Sequence, residues 1–277
     1  MTPPERRDPA GAGVDLLPTI GTTTIEADGG ALDCSLVPWD SASFGFPVAQ
    51  VTRVELADGA QPNALLQKFD AWCADHDVRL VSCRLDHAQL RESMALEGHG
   101  FRFVELVYEP RLDSFEGVAA PRHVIQIANA AQGDRDAIEE IAYEAFGTGR
   151  FLLDRRLAPE LSKRRYAGWV RSSLTSPRQT VLKAEMDSDL VGFFIVEHRP
   201  DDSVYWHLTA IAPRWQGQGI GLSLWQTMLL RHRAEGATSV GTTISGHNLP
   251  AMNLYARLGF SFASAKMTFH WLPESKG

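Results

Sequence analysis

The sequence predicts an α/β protein of the α+β kind, in which a smaller N-terminal module precedes a larger module with a central sheet. Three observations lead to this prediction. The chain has 277 residues, which is more than the roughly 100–200 residues of a typical single domain. Short apolar runs with a two-residue period alternate with segments of helical period. The stretch between Pro110 and Pro121 has neither period, which is typical of a linker.

The N-terminal part divides into a tail and a small module. Residues 1–30 hold prolines, glycines and charges ahead of the first strand pattern, so we predict a flexible tail without the apolar core of a signal peptide. Residues 31–111 follow as a small α/β N-terminal domain. Its strands are expected at 32–37, 48–54, 79–84 and 101–109, and its helices at 63–75 and 87–97. Residues 38–47, between the first two strands, are predicted to form a loop.

The larger module is expected over residues 122–274, after a linker at 112–121. Its strands are predicted at 123–128, 180–185, 190–197, 204–211, 239–245 and 262–271, and its helices at 134–146, 159–174, 222–235 and 249–258. Asp187-Ser188-Asp189 predicts a tight hairpin between two of those strands. Residues 96–103 and 256–262 share a helix end, a Gly-Phe pair and a strand start, which indicates either a degenerate half-repeat or two similar helix caps.

Composition and charge exclude several function classes. The formal charge of −7 and the apolar fraction of 44% are typical of a folded chain with no overall attraction for nucleic acid or anionic lipid. Every apolar run is shorter than the roughly 20 residues that span a bilayer. Cys34, Cys73 and Cys83 include no C-x-x-C pair, so neither a disulfide framework nor a metal site is expected. We expect a cytoplasmic protein that binds neither nucleic acid nor membranes.

A glycine-rich turn between a strand and a helix carries the clearest chemical signal. The apolar strand at 204–211 leads into the run Gln216-Gly217-Gln218-Gly219-Ile220-Gly221-Leu222. Glycines remove the side chains that would block a ligand, and the first backbone N–H groups of a helix attract negative charge. The turn therefore predicts a diphosphate site. It lacks the Gly-Lys-Ser/Thr ending of a P-loop and the final glycine of the dinucleotide fingerprint, so neither of those sites is expected.

A second motif follows one helix and one strand later. Residues 248–260 read Asn-Leu-Pro-Ala-Met-Asn-Leu-Tyr-Ala-Arg-Leu-Gly-Phe. Asn248 and Tyr255 are seven residues apart, which returns them to nearly the same face of a helix. Together with the glycine turn, this ending resembles the GNAT superfamily of N-acetyltransferases. The resemblance implies the GNAT fold, with a central mixed, mostly antiparallel sheet, and makes the N-terminal domain a candidate degenerate half of that fold.

The resemblance implies acetyl-CoA as co-substrate, without a metal. The expected cofactor contacts are Thr209, Ala210, Ile211, Gln216, Gly217, Gln218, Gly219, Ile220, Gly221, Leu222 and Asn248. Tyr255 is expected to protonate the departing thiolate during direct transfer to a primary amine. His207 is the candidate base because its ordinary pKa lies near neutrality, with a packed strand histidine as the alternative.

A looser similarity extends over most of the chain. The runs that carry it are residues 36–47, residues 80–85, Ala145-Phe146, Arg150-Phe151 and Tyr166-Ala167-Gly168-Trp169. They resemble the dTDP-fucosamine acetyltransferase group, which implies a nucleotide-linked amino-deoxysugar as acceptor. The candidate acceptor ligands are Arg150, Arg164, Arg165 and Tyr166, because guanidinium groups bind phosphates. Several alternatives stay open. Arg164 and Arg165 could belong to a solvated helix face, and the acceptor could be another small amine. The protein could also be a non-catalytic acyl-CoA-binding module, and it could form a homodimer.

Overall fold

The structure is a computed structural model that describes residues 20–273. Its N-terminal half contains strands β1 (Ile20–Ala27), β2 (Gly30–Leu36), β3 (Val48–Leu56), β4 (Leu80–Asp86) and β5 (Arg102–Leu112), and helices α1 (Pro38–Phe44), α2 (Asn63–Asp75) and α3 (Leu90–Gly98). Its C-terminal half contains strands β6 (Gln126–Asn129), β7 (Thr180–Met186), β8 (Asp189–His198), β9 (Ser203–Ile211), β10 (Ser239–Thr242), β11 (Ile244–Ser245) and β12 (Ser261–Trp271), and helices α4 (Arg135–Ala145), α5 (Arg150–Leu153), α6 (Pro159–Ser173), α7 (Ile220–Ala234) and α8 (Leu249–Arg257). Most predicted elements are confirmed to within a few residues.

A single sheet runs through both halves. The strand order is β1-β2-β3-β4-β12-β5-β10-β9-β8-β7-β6, with β11 paired to β5. Among the described residues, β3–β4 and β9–β10 pair in parallel and the other neighbours pair antiparallel. The predicted mixed, mostly antiparallel sheet is therefore confirmed. The predicted hairpin is confirmed as well, since Asp187 and Ser188 turn between β7 and β8 with φ of 51° and 69°.

The two halves exchange their last strands. β5 belongs to the N-terminal half in sequence but lies against β10, whereas β12 belongs to the C-terminal half and lies against β4. The two strands also pair with each other at the centre of the sheet. Each half therefore completes the sheet of the other. The predicted boundaries at residues 112 and 121 stay a prediction, but the described hydrogen-bonded sheet does not break there.

Helices cover both faces of the C-terminal part of the sheet. On one face Leu224 and Met228 of α7 pack with Trp206 in a buried apolar cluster. On the other face Ile138 of α4 and Trp169 of α6 pack with strand residues of β8 and β9. These layers leave the ends of the strands as the places where a ligand can enter. Among residues 20–273, no helix combines the length and apolar character that a membrane span requires.

Two predictions about the N-terminal part are corrected by the structure. The flexible tail is wrong for residues 20–30, which form β1 and the start of β2, while residues 1–19 lie outside the described residues. The loop at 38–47 is wrong because residues 38–44 form α1. Pro38 supplies a preset φ in the first turn and Gly45 ends the helix with φ of 77°. Sequence reasoning overlooked this short helix because seven residues show too little periodicity.

Candidate functional site

A cleft opens in the C-terminal half where β9 and β10 separate. The two strands pair in parallel up to Trp206 and Thr242. His207, the next residue of β9, is a bulge residue in the antiparallel ladder with β8. A bulge bends and twists its strand, and bulges are common beside active sites. Beyond this point β9 continues with β8, while residues 244–245 turn away to pair with β5, so the predicted strand 239–245 is broken in two.

Only every second residue of β9 turns its backbone N–H and C=O groups toward the cleft. The Ala212 N–H donates to β8, and Ala210 pairs with Phe193 of β8, so these residues turn their backbone groups away from the cleft. Since backbone direction alternates along a strand, Thr209 and Ile211 turn their N–H and C=O groups toward the cleft. A ligand that pairs with this edge can therefore use the backbone of Thr209 and the N–H of Ile211, whose carbonyl already accepts from Gln216. The predicted backbone contact of Ala210 with the cofactor is wrong, because the backbone groups of Ala210 face β8.

The glycine turn leads into α7 with its backbone accessible. Gly217 and Gly219 have φ of 73° and 79°, a region that glycine adopts without strain. A Cβ atom at either position would meet nothing within 4 Å, whereas at Gly221 it would lie 3.1 Å from Cδ1 of Ile211. The first two glycines are thus needed for backbone conformation and the third for close packing. No described side chain caps α7 at Gly219, so the N–H groups of its first turn suit an anionic ligand.

The other predicted residues of the turn shape it in different ways. Nε2 of Gln216 donates to the Ile211 carbonyl at 3.1 Å, and Nε2 of Gln218 donates to the Arg214 carbonyl at 2.6 Å. Both amides therefore brace the turn from within. The side chain of Ile220 is buried in the core beneath α7, so only its backbone can meet a ligand, and Leu222 is half-buried.

The opposite wall of the cleft carries the two predicted residues of α8. Asn248 caps the helix, and its Oδ1 accepts the Ala251 N–H at 3.2 Å. Tyr255 is 3% exposed, and the polar neighbours of its hydroxyl are Trp225, Thr209 and Thr242. Burial raises the pKa of Tyr255, although these polar neighbours act in the other direction. A protonated phenol therefore stands where β9 and β10 separate.

His207 is held by a carboxylate rather than left open toward the cleft. Its side chain is 3% exposed, and Nε2 lies 2.8 Å from Oε2 of Glu197. Arg178 donates to the other oxygen of Glu197 at 2.9 Å. Burial lowers the pKa of His207, against the effect of Glu197, so the ring is neutral near pH 7. Because Nε2 is engaged, this geometry favours the packed histidine over the base.

A buried carboxylate on the exchanged strand β5 escaped the sequence analysis. Glu105 is 2% exposed, and its Oε2 has no hydrogen-bond partner among the described residues. Its Oε1 lies 4.0 Å from Nη2 of Arg84, and Ser245 is a polar neighbour of the carboxyl. Burial raises the pKa of Glu105, although Ser245 and Arg84 act in the opposite direction. A carboxylate in this state is suited to accepting a proton.

The position of Glu105 connects the cleft with the helices α5 and α6. Ser245 follows the point where β10 and β9 separate, and it pairs with Val107, two residues from Glu105 on β5, so Glu105 lies near this point. Arg150 of α5 and Tyr166 of α6 interact electrostatically with the same carboxyl. In sequence, the available signal is that Glu105 shares a strand face with the buried Val107.

Arg165, one of the predicted acceptor ligands, lies inside the protein. It is 4% exposed, and its Nε lies 2.6 Å from Oδ1 of Asp40, which is itself buried. Its guanidinium also stacks over Trp39 at 4.3 Å. This contact ties α6 to α1, the helix that replaces the predicted loop. The structure therefore gives Arg165 a structural role in holding α6, and its burial leaves little room for an acceptor phosphate.

The Arg165–Asp40 pair yields a prediction about stability. Arg165→Ala should lower the free energy of unfolding by about 3–5 kcal/mol, because it leaves the Asp40 carboxylate buried without its partner. Urea denaturation followed by tryptophan fluorescence measures the change. Arg164→Ala is the matched control, since Arg164 is exposed on the same helix and should change stability by less than about 0.5 kcal/mol. Equal stability of the two variants would contradict the assignment.

The remaining acceptor candidates are divided between two places. Arg150 is buried beside Phe151, and Tyr166 stacks on Phe146 with ring centroids 4.4 Å apart. Both belong to the side of the sheet on which Glu105 lies. Arg164 instead lines an outer groove of about 780 Å³ between α1, α4 and α6. The acidic residues of that groove, which disfavour a phosphate, are Glu139, Glu140 and Glu144.

One group of side chains within residues 20–273 has the spacing of metal ligands. It consists of His198, His232 and Glu235. Nε1 of Trp206 donates to Nε2 of His232 at 3.0 Å, so the ring proton is on Nδ1, which faces Glu235. A protonated nitrogen cannot ligate a metal, and this tautomer does not fit a metal site.

Comparison with known proteins assigns the C-terminal half. Residues 136–260 match the sequence model of the acetyltransferase (GNAT) family. The C-terminal half of the chain has the GNAT fold, and we call it the GNAT domain for that reason. The L-2,4-diaminobutyric acid acetyltransferase of Nocardia farcinica (strain IFM 10152) is 35% identical over 109 residues, which cover 39% of this chain and 54% of that protein. The spore coat polysaccharide biosynthesis protein SpsD of Bacillus subtilis (strain 168) is 24% identical over 141 residues, covering 51% of this chain and 48% of that protein.

The similarity to solved structures extends beyond the GNAT domain. A GCN5-related N-acetyltransferase from Sphaerobacter thermophilus superposes with a TM-score of 0.64 at 17% identity, covering 94% of this chain and 82% of that one. A tandem GNAT protein from the clavulanic acid biosynthesis pathway gives 0.59 at 16% identity, covering 88% and 78%. At these identities the likeness shows the fold alone, and the predicted GNAT fold is confirmed. The chain spans about half the length of the curated relatives it matches.

Proposed function

We propose that the protein is an acetyl-CoA-dependent N-acetyltransferase that transfers the acetyl group directly to a primary amine. The observation that carries this proposal is the cleft of the GNAT domain. It joins an open strand edge, an accessible glycine turn at a helix N-terminus and a buried tyrosine hydroxyl. A non-catalytic binding module would need the first two features but not the third.

The residues of the cleft fit acetyl-CoA in three places. Backbone N–H groups from Gly217 to the first turn of α7 suit the pyrophosphate, because they are donors at the positive end of a helix dipole. The backbone of Thr209 and the N–H of Ile211 suit the amide groups of the pantetheine arm, which would pair there like an added strand. The side-chain amide of Asn248 retains its N–H donors for the same arm.

Two side chains would move protons during the reaction. Bound acetyl-CoA would supply the acetyl group as a thioester. Tyr255 would donate a proton to the sulfur as the carbon–sulfur bond breaks, since its hydroxyl is protonated and lies at the cleft vertex. Glu105 would accept the proton that the amine nitrogen loses as it bonds to the acetyl carbon. Glu105 thus replaces His207 as the proposed base.

The proposed acceptor is a nucleotide-linked amino-deoxysugar. The relative SpsD is named for polysaccharide biosynthesis, which supports a sugar acceptor. Arg150 and Tyr166 lie on the Glu105 side of the sheet, where an acceptor amine would have to reach the acetyl carbon. A second candidate is a small diamine or amino acid, which the diaminobutyrate acetyltransferase at 35% identity favours.

A ligand panel tests the proposal. Acetyl-CoA at 100 times its dissociation constant should stabilise the protein by about 2.7 kcal/mol, which a thermal-shift assay detects. Release of the coenzyme A thiol is then measured with TDP-4-amino sugars, diamino acids and polyamines. Turnover of a TDP-amino sugar supports the first acceptor, and turnover of the simple amines alone supports the second. Binding without turnover of any amine would leave only the acyl-CoA-binding module.

The tyrosine gives a direct test of chemistry against binding. Tyr255→Phe should keep the affinity for acetyl-CoA but lower kcat by about 10²-fold, the lower end of the range for a general acid. The loss is modest because a thiolate is a fair leaving group even without a proton. Single-turnover kinetics and calorimetry on the same preparation measure the two quantities. An unchanged kcat would reduce Tyr255 to a packing residue.

A further inference from the structure

The N-terminal half contains a second cleft of the same construction. β3 and β4 pair in parallel up to Val51 and Cys83, as β9 and β10 do up to Trp206 and Thr242. The residue after Val51 is Thr52, a bulge residue in the ladder of β3 with β2. The bulge in β9 stands at the same place, directly after its last parallel pair. Both halves therefore separate two parallel strands at a bulge.

The exchanged strands show that the halves correspond residue by residue from β4 to β5 and from β10 to β12. Val81 of β4 pairs with Trp271, and Val240 of β10 pairs with Leu112. The shift from Val81 to Val240 is 159 residues, and the shift from Leu112 to Trp271 is also 159. With this shift, Gln89 at the start of α3 corresponds to Asn248 at the start of α8. Each is the N-cap residue of its helix.

In the N-terminal half, side chains of α3 bond to the strand edge, whereas in the other half the Ile211 carbonyl of the corresponding edge accepts from Gln216 of the glycine turn. The residues of β3 that lie three and five positions past its last parallel pair are Val54 and Leu56, as Thr209 and Ile211 are in β9. Gln89 Nε2 donates to the Val54 carbonyl at 3.1 Å. The Leu56 N–H donates to Oε1 of Glu92 at 3.3 Å, and Nη1 of Arg91 donates to the Leu56 carbonyl at 3.1 Å. These side chains stand where a bound arm would pair.

The first turn of each helix explains why one cleft is closed and the other open. Arg91 and Glu92 correspond to Pro250 and Ala251 of α8. The long polar side chains of the first pair reach across to β3. Proline and alanine carry no group that could reach β9 or bond its backbone. Pro250 and Ala251 therefore keep the cleft of the GNAT domain free.

The connection into the helix differs as well. Residues 57–62 join β3 to α2, whereas residues 212–219 join β9 to α7, so the N-terminal turn is two residues shorter. Its N-cap is Pro62, which has no N–H to offer an anion. Asp58 in the same turn is ion-paired with Arg91 at 2.5 Å and would repel a diphosphate. Leu96, buried in the core, stands where Tyr255 would be.

We propose that the N-terminal half is a cofactor cleft filled by the protein's own side chains, so that each chain binds one molecule of acetyl-CoA. Gln89, Arg91 and Glu92 are the internal occupants, and the short residues Pro250 and Ala251 are the determinants that leave the second cleft open. This inference rests on the proposed function, because it takes the open cleft as the acetyl-CoA site. It adds which half binds and which residues decide it.

Hydrogen exchange on the wild-type protein tests the proposal without any variant. Saturating acetyl-CoA should slow amide exchange in peptides that cover residues 209–222 and leave peptides that cover residues 54–63 unchanged. Calorimetry on the same sample should give one molecule bound per chain. Protection of both segments, or two molecules per chain, would overturn the inference. Protection of neither segment would contradict the proposed function itself and the inference with it.

A substitution tests the determinant. Ala251→Glu places in α8 the residue that closes the other cleft, and it should weaken acetyl-CoA binding at least about tenfold, a difference of about 1.4 kcal/mol. Ala256→Glu is the matched control on the exposed side of the same helix and should bind normally. Normal binding by a folded Ala251→Glu variant would overturn the role of Ala251. If that variant does not fold, the exchange experiment on the wild type decides alone.

Discussion

Gly219→Asp is expected to abolish detectable acetyl-CoA binding in a protein that still folds. The aspartate would place a negative charge at the start of α7, where the N–H groups of the first turn are proposed to hold the pyrophosphate. It would also place a side chain on a residue with φ of 79°, which should lower the free energy of unfolding by about 1 kcal/mol. We expect the protein to remain folded at that cost. Calorimetric titration with acetyl-CoA measures the outcome.

A second glycine provides the control for that variant. Gly59 has φ of 76°, and a Cβ atom there would also meet nothing within 4 Å. It lies in the turn between β3 and α2, beside the cleft that the side chains of Gln89, Arg91 and Glu92 fill. Gly59→Asp therefore carries the same charge and the same backbone strain, and it should bind acetyl-CoA as the wild type does. Equal binding by Gly219→Asp and the control would remove the pyrophosphate site from this turn.

Glu105→Gln is expected to lower kcat/KM for the acceptor by about 10²–10⁴-fold, the usual range for loss of a general base. The amide has nearly the shape of the carboxyl but cannot accept the amine proton. Affinity for acetyl-CoA should stay unchanged, because no proposed cofactor contact involves Glu105. Steady-state kinetics with the best acceptor of the panel, combined with calorimetry, separates the two effects.

The pH dependence distinguishes a base from a structural residue. A base must be ionised to act, so the wild-type rate should rise with pH through the pKa of Glu105, which burial has raised. In Glu105→Gln this rise should disappear, and only the rise caused by deprotonation of the acceptor's ammonium group to the neutral amine should be left. Glu109→Gln is a control on the same strand, where Glu109 pairs with Lys266 at 2.8 Å. A pH profile that keeps its wild-type shape in Glu105→Gln would show that another group accepts the proton.

The parts of the site that the sequence predicted are those built by neighbours in the chain. The glycine turn from Gln216 to Leu222 and the cap at Asn248 depend on φ angles and helix positions within a few residues. Such local rules can be applied without knowing the fold. The same is true of Tyr255, whose helix face follows from its distance to Asn248.

The parts that were missed depend on which strands lie side by side. Glu105 is separated by 140 residues from Ser245, and only the insertion of β5 beside β10 brings them together. Arg165 and Asp40 are 125 residues apart, so the alternatives of acceptor ligand and solvated face both overlooked their buried ion pair. His207 could be assigned to a packed position only after Glu197 was found beside it.

By itself, the sequence determined the order of most helices and strands, the glycine turn at the start of α7 and the GNAT fold of the C-terminal half, because period, capping and glycine conformation act over a few residues. Only the tertiary structure decided that the two halves exchange β5 and β12. It also decided that one of the two similar clefts is filled by Gln89, Arg91 and Glu92. Strand order and register are set by contacts between residues far apart in the chain, and no local pattern specifies which distant strand will be the neighbour.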